Sequence, residues 1–250
     1  MVYDPSTGRI MLFGGHGNEV IRNDLWAYDP SANTWTELHP TGDVPGYCEV
    51  MVYDSGAAKM IAIGSGGSRL WAYDSLGNAW TELHPTGDPP SDRSGYAAAY
   101  DPRTARVILF GGSHTEEWSE DNTEPTHTNP VSVWAYDSAL NTWTKLSPAG
   151  DSPYGREDHA MVYHPGSGLI LMFGGSWWDY NHMGEGEYPE NLMAYDPYAN
   201  TWTKLPHADR IPFGRAGHSM VYDWKTGKVV MFGGSDAAHG YLSGTWTLAP

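Results

Sequence analysis

The chain is poor in cations. It sets 14 Lys and Arg against 30 Asp and Glu, for a formal net charge of −16. Nucleic acids are held largely through a basic surface, so the composition argues against that class of partner. It suits cations, basic peptides or neutral polar ligands. A single cysteine, Cys48, rules out an intrachain disulfide and leaves the redox compartment open. No apolar run approaches the ~20 residues of a membrane-spanning helix, and no charged-then-apolar leader opens the sequence. The expectation is a soluble chain of undetermined compartment, without a membrane partner. Helical stretches rich in Leu and Lys are also missing. Instead, 30 Gly and 18 Pro punctuate short apolar runs, and aromatics make up 13%. That is the composition of an all-β protein with many tight turns. Catalytic phrases are scarce too: there is no Gly-x-Ser-x-Gly elbow, no phosphate-cradling glycine loop and no His-Glu-x-x-His.

The aromatics keep a beat. A Tyr-Asp pair followed seven residues after its tyrosine by Trp occurs four times: Tyr28/Trp35, Tyr73/Trp80, Tyr136/Trp143 and Tyr195/Trp202. A second phrase runs ten residues from Tyr to a Phe or Ile before Gly. Its copies are Tyr3/Phe13, Tyr53/Ile63, Tyr100/Phe110, Tyr163/Phe173 and Tyr222/Phe232, spaced 50, 47, 63 and 59 residues apart. Self-similarity at this period signals an array of one supersecondary unit. In the fourth copy, the runs at 160–163, 169–173, 191–196 and 201–205 read as four strands of one antiparallel meander. The second run is apolar throughout, as in a strand buried on both faces, and the fourth alternates like an outer strand. Stacked radially, five such sheets give a β-propeller with blades at about 1–45, 46–92, 93–155, 156–214 and 215–250, one domain in all.

Paired glycines after the second strand (14–15, 111–112, 174–175 and 233–234, with a displaced 66–67 in blade two), then Tyr and Trp at fixed distance, resemble the kelch repeat. The resemblance spans nearly the whole chain and extends to propellers like the central domain of galactose oxidase. It implies that the diglycine, Tyr and Trp are structural. Met1 aligns with positions already inside a first strand, and the last copy stops after a third strand, Gly244–Pro250. The expectation is a fifth blade lacking its outer strand, in a ring closed by packing alone or forming part of a larger six- or seven-bladed one. The larger ring is the preferred alternative, because repeat arrays depend on their caps. An incomplete terminal blade is then an association site.

Variation concentrates between the diglycine and the next Tyr, at 13, 8, 24 and 20 residues, whereas Trp to the next first-strand Tyr holds at 18 to 20. Insertions of this kind map to one face, often the binding face. The loops at 113–131 and 176–191 carry nine of the thirty acidic residues. The first reads as solvated and acidic, the second as an ordered wall bearing Trp177, Trp178, Tyr180 and His182. Upstream of the first strands stand Arg93, Arg156 and Arg215, then Tyr96, His159 and His218. His159 and His218 belong to phrases resembling the Arg-x-Gly-His of kelch repeats, which implies inter-blade hydrogen bonding. Ringing a channel mouth, these arginines would also suit a carboxylate or acidic side chain, as kelch domains do for acidic peptides. These ten residues are the ligand-binding candidates, for a peptide, a glycan or a small polar ligand.

Two further readings stand beside that one. Glu117, Asp121 and His127 partly match the Glu-x-x-x-Asp-x-x-x-His iron motif of plant specifier proteins, which are kelch propellers. Pro125 occupies the histidine position here. They are the candidates for Ca²⁺, Fe²⁺ or Zn²⁺ in a metal-dependent enzyme, although the preferred reading has no cofactor. The copper site that a galactose oxidase likeness implies needs a Cys linked to Tyr, and beyond Cys48 and Tyr47 that site does not map. The third reading is a structural piece of a larger propeller.

Overall fold

The computed structural model describes residues 1–17, 20–115, 127–177, 187–206 and 211–248. Five antiparallel sheets follow one another along the chain. In blade one, Val2–Asp4, Arg9–Gly17, Val20–Asp29 and Thr34–Leu38 pair in sequence order. Blades two, three and four repeat the meander from Val50–Asp54, Ser94–Asp101 and Ala160–His164. Blade five has Ala216–Asp223, Lys228–Asp236 and Thr245–Leu248, and the described residues include no fourth strand after them. The all-β propeller with an incomplete last blade is as the repeats predict.

The Tyr–Trp spacing is a hairpin register. Tyr28, Tyr73, Tyr136 and Tyr195 lie directly across from Trp35, Trp80, Trp143 and Trp202. Their ring centroids sit 4.9 to 5.3 Å apart. The intervening turn uses Asn33, Asn78, Asn141 and Asn200 at φ of 47 to 53°, a left-handed conformation that Asn tolerates. Each Asn side-chain oxygen accepts from the tyrosine hydroxyl at 2.7 to 2.9 Å.

The links between blades form a strand that the beat does not announce. Thr41–Gly42, Thr86–Gly87 and Ala149–Gly150 each pair in parallel with the outermost strand of the following blade. A Cβ on Gly42, Gly87 or Gly150 would lie 2.1 Å from the carbonyl oxygen of Trp80, Trp143 or Trp202, so only glycine fits. The turn asparagines reinforce this seam: Asn78, Asn141 and Asn200 donate to the carbonyls of His39, His84 and Ser147.

The core lies between blades. A second-strand Phe meets the outer-strand Trp of the next blade, Phe13 on Trp80 and Phe110 on Trp202, each at 5.2 Å. Large apolar clusters join blades one to two, two to three and three to four, and a smaller one joins four to five. The innermost strands pack on one another in chain order from blade one to blade five, whereas Val2–Asp4 and Ala216–Asp223 make no comparable contact. Among the described residues, no helix is long and apolar enough to cross a membrane.

Candidate ligand-binding funnel

The segments that lead into the first strands repeat one tie. Arg93, Arg156 and Arg215 are buried. Each donates through Nη1 at 3.0 Å to the carbonyl of the first glycine in its own blade's pair: Gly111, Gly174 and Gly233. Each also donates through Nε to the carbonyl two residues before it, on Ser91, Tyr154 and Phe213. The arginine's own carbonyl accepts from a glycine of the preceding blade: Gly66, Gly112 and Gly175. One residue type thereby fastens two neighbouring sheets. Burial lowers the Arg93 and Arg156 guanidinium pKa to about 10, which still leaves both charged at neutral pH. Arg93 also stacks 4.2 Å over Trp134.

Three residues further on stand the wedges. Tyr96 donates to the carbonyls of Gly64 and Ile63 in blade two, at 2.6 and 3.2 Å. His159 and His218 take the same place in blades four and five, edge-on to Phe110 and Phe173 at 5.6 and 5.9 Å. Neither imidazole has a hydrogen-bond partner on either ring nitrogen. The Arg215 carbonyl lies near enough to His218 to favour protonation slightly, without hydrogen-bond geometry. Burial dominates for both rings: it pushes His218 down to about 4 and His159 well below the ordinary range. Both are neutral at pH 7.

Between these two layers runs a staircase of backbone hydrogen bonds. Gly217 N–H donates to the Asp158 carbonyl at 2.8 Å, and Asp158 N–H donates to the Gly95 carbonyl at 2.7 Å. Gly95 N–H then donates to the Glu49 carboxylate at 3.0 Å. The steps have left-handed φ, 69° at Gly95, 54° at Asp158 and 66° at Gly217, so Asp158 places a carboxylate where its neighbours carry none. Tyr96, His159 and His218 share with this staircase the wall of one cavity of about 730 Å³, together with Phe13, Tyr47 and Met161. Among the described residues, three carboxylates line it (Glu49, Glu157 and Asp158), and no Lys or Arg does. Burial pushes Glu49 up to about 7, helped by Asp158 and Asp92 and opposed by the Gly95 N–H. Asp158 is raised by burial and by Glu157. Burial also raises Cys48, to about 12, so its thiol is protonated.

The remaining candidates sit elsewhere. Trp177 stacks on Tyr154 at 6.1 Å, exchanges backbone hydrogen bonds with Glu187 and donates to the Glu187 carboxylate; it does not line the cavity. His127 belongs to a two-residue strand, His127–Thr128, paired with the end of Arg106–Thr115. Trp178, Tyr180, His182, Glu117 and Asp121 lie outside the described residues. Among the described residues, no three His, Cys, Asp or Glu side chains gather as a metal site. Sequence reasoning missed Glu157 and Asp158 as site residues. The available signal was the position five before each first-strand Tyr, which reads Cys48, Gly95, Asp158 and Gly217.

The comparisons agree with this architecture. Mei4-dependent protein 6 of Schizosaccharomyces pombe is 24% identical over 246 residues, covering 94% of this chain and 27% of that protein. Galactose oxidase of Gibberella zeae is 28% identical over 117 residues, 43% of this chain and 16% of the enzyme. The chain thus spans about a quarter or less of the length of these curated relatives. Among solved structures, that of YjhT superposes with a TM-score of 0.68 at 15% identity, over 97% of this chain and 79% of its own. The model of the Attractin/LZTR1 β-propeller matches residues 2–238, and the chain belongs to that family of kelch-like propellers.

Proposed function

We propose that the protein is a binding module that takes a small polar or cationic ligand into the funnel at the loop-rich end of the propeller axis. The observation that carries this reading is the cavity wall itself. Four consecutive blades contribute equivalent residues to one concave space of about 730 Å³, a size typical of ligand sites. Among the described residues its charged groups are three carboxylates, with aromatic and apolar side chains between them, whereas the ring nitrogens of His159 and His218 are buried out of a ligand's reach. Such a wall favours a ligand rich in donors, whether an amine, a basic side chain or the hydroxyls of a glycan. It disfavours an acidic peptide, because the arginines are engaged by glycine carbonyls.

The test is a thermal-shift and calorimetric panel of basic peptides, acidic peptides, amines and neutral sugars. Glu49→Gln and Asp158→Asn should weaken capture about tenfold, roughly the loss of one charge-assisted hydrogen bond, without lowering Tm. Preferential binding of acidic peptides, or unchanged affinity in both variants, would refute the proposal. One observation favours an enzymatic reading beside it. A cavity carboxyl poised near pH 7, as Glu49 is, matches the range of a general acid or base. Turnover of a bound sugar or peptide that vanishes in Glu49→Gln would decide for it.

A further inference from the structure

We propose that the rim of blade four holds a guanidinium subsite continuous with the funnel, so that the ligand is a basic peptide. Its arginine lies on Tyr154 and Trp177, while a second basic group reaches the funnel carboxylates. This deepens the reading of the funnel as a site for a cationic ligand, and rests on it. The subsite is a box of two rings and an acid. Tyr154 and Trp177 stack with centroids 6.1 Å apart and planes within 14° of each other. Trp177 donates through Nε1 to the Glu187 carboxylate at 3.3 Å, which fixes that acid at the edge of the indole. The outer-strand Trp rings of blades two to four are 1 to 2% exposed, but Tyr154 is 67% exposed. Glu187 is exposed as well, and Trp177 is half-buried. A parallel aromatic pair facing water, with a carboxylate against one ring, offers a cation both a π face and a counter-charge.

Box and funnel share a backbone. Glu157 and Ser176 exchange N–H···O bonds at 2.9 Å in both directions, and Trp177 and Glu187 do the same at 3.1 Å. Glu157 lines the funnel and Trp177 follows Ser176, so the box begins one residue from the cavity wall. An extended peptide advances about 3.3–3.6 Å per residue, so basic groups one to three residues apart reach both places.

The occupant is chosen by charge. Carboxylates stand at both ends, Glu187 on the rim and Glu157 with Asp158 in the funnel, and they attract cations and repel acidic peptides. A neutral sugar would use the ring faces but leave those charges unanswered. Arginine suits the rings better than lysine, because its guanidinium is planar, stacks on aromatic faces and is more weakly hydrated than an ammonium. Arg156, two residues from Tyr154, is buried with its guanidinium held by the Tyr154 and Gly174 carbonyls. Among the described residues the neighbouring blades lack the full box. In blade five Phe213 stands two before the arginine, as Tyr154 does, and stacks on His239 at 5.2 Å. The carboxylate there, Asp236, is closed on the His239 ring at 2.9 Å, and its side chain is 7% exposed. In blade three the same place holds Ser91.

The probes are acetylated, amidated peptides of sequence Gly-Arg-Gly-Lys, Gly-Lys-Gly-Lys and Gly-Glu-Gly-Glu, with maltose as a neutral ring, each titrated calorimetrically into the protein. The arginine peptide should bind about threefold or more tighter than its lysine counterpart, and both should bind tighter than the acidic peptide and maltose. Tyr154→Ala should weaken the arginine peptide about three- to tenfold, whereas Tyr154→Phe, which keeps the ring face, should retain it. Glu187→Gln should cost about three- to fivefold. Asp158→Asn should weaken both basic peptides alike, through the funnel. If Tyr154→Ala lowers Tm, the exposed Glu187→Gln carries the test. Equal affinity for the two basic peptides would overturn the rim subsite. So would an arginine peptide indifferent to Tyr154→Ala and Glu187→Gln but weakened by Asp158→Asn, a result that leaves the funnel reading standing. Maltose binding tighter than either basic peptide, and lost in Tyr154→Ala, would make the rim a sugar platform instead. Failure of both basic peptides to bind the wild-type protein would overturn rim and funnel readings together.

Discussion

Replacing Arg156 by alanine separates a structural tie from a ligand contact. The side chain is fully buried. It donates to the Gly174 carbonyl at 3.0 Å and the Tyr154 carbonyl at 3.1 Å, with the Asn191 side-chain oxygen at 3.4 Å from both terminal nitrogens. Hydrogen bonds to a charged donor contribute about 1.5–3 kcal/mol each, and their loss leaves buried carbonyls without partners. Against that, alanine escapes the burial cost that holds the guanidinium at about 10 rather than 12.5. The expected net loss is on the order of 3 kcal/mol, and at 2–4 °C per kcal/mol that is a fall in Tm of roughly 6–12 °C. Urea unfolding followed by tryptophan fluorescence reads the free energy directly. Arg156→Lys should fall between the two, because an ammonium keeps the charge but not the planar fork. If Arg156→Ala unfolds within about 1 kcal/mol of wild type, the tie is not structural, and if ligand capture is also lost, the residue is a contact.

The other predictions rest on burial, backbone and charge. Trp143→Ala should cost about 3–5 kcal/mol, whereas Trp35→Ala should cost less than half of that because its ring is already half in water; paired urea curves measure the contrast. Gly87→Ala should destabilise by at least about 1–2 kcal/mol, since φ is +93° and the new Cβ would meet the Trp143 carbonyl, and the link strand should lose amide protection first in hydrogen exchange. His159 and His218 have depressed folded pKa values, so the unfolded chain binds more protons and stability is lost as pH falls below about 6.5. His159→Phe should flatten that acid limb in a Tm-versus-pH series. Glu49 has the opposite sign: its folded pKa of about 7 exceeds the ordinary 4.5, so its contribution is lost as pH rises from about 4.5 through 7. Glu49→Gln should therefore raise Tm at pH 8 relative to pH 5, as compared with wild type.

What the sequence disclosed was whatever repeats locally. Tyr and Trp seven apart are cross-strand neighbours around a short turn, so the four copies of their beat carry the hairpin directly, and the five copies of the second phrase carry the array of blades. The resemblance implied inter-blade hydrogen bonding for the arginine phrase, but each guanidinium bonds the diglycine carbonyl of its own blade, only the arginine's backbone carbonyl reaches the preceding blade, and the histidines make no hydrogen bond. The parallel link strands went unread because two residues have no period, even though Thr-Gly-Asp recurs at 41–43 and 86–88. The acidic staircase was not legible because it depends on the curvature of the array, which brings together residues about a repeat apart: Glu49 with Gly95, and Gly95 with Asp158. The long acidic loops, where sequence variation pointed, lie for the most part outside the described residues.

The seam made by Thr41–Gly42, Thr86–Gly87 and Ala149–Gly150 puts two periodicities out of phase. The unit that recurs in the sequence ends with an outer strand, but the segment just after that end belongs, by its hydrogen bonds, to the next sheet. A cut at a repeat boundary therefore severs a strand from the sheet it completes. Excised single repeats should be poor folders, and melting should spread across boundaries instead of releasing blades one at a time. Swapping material between such propellers would succeed better at the turn inside a blade, such as the one at Asn78, than at the junction where the sequence repeats meet.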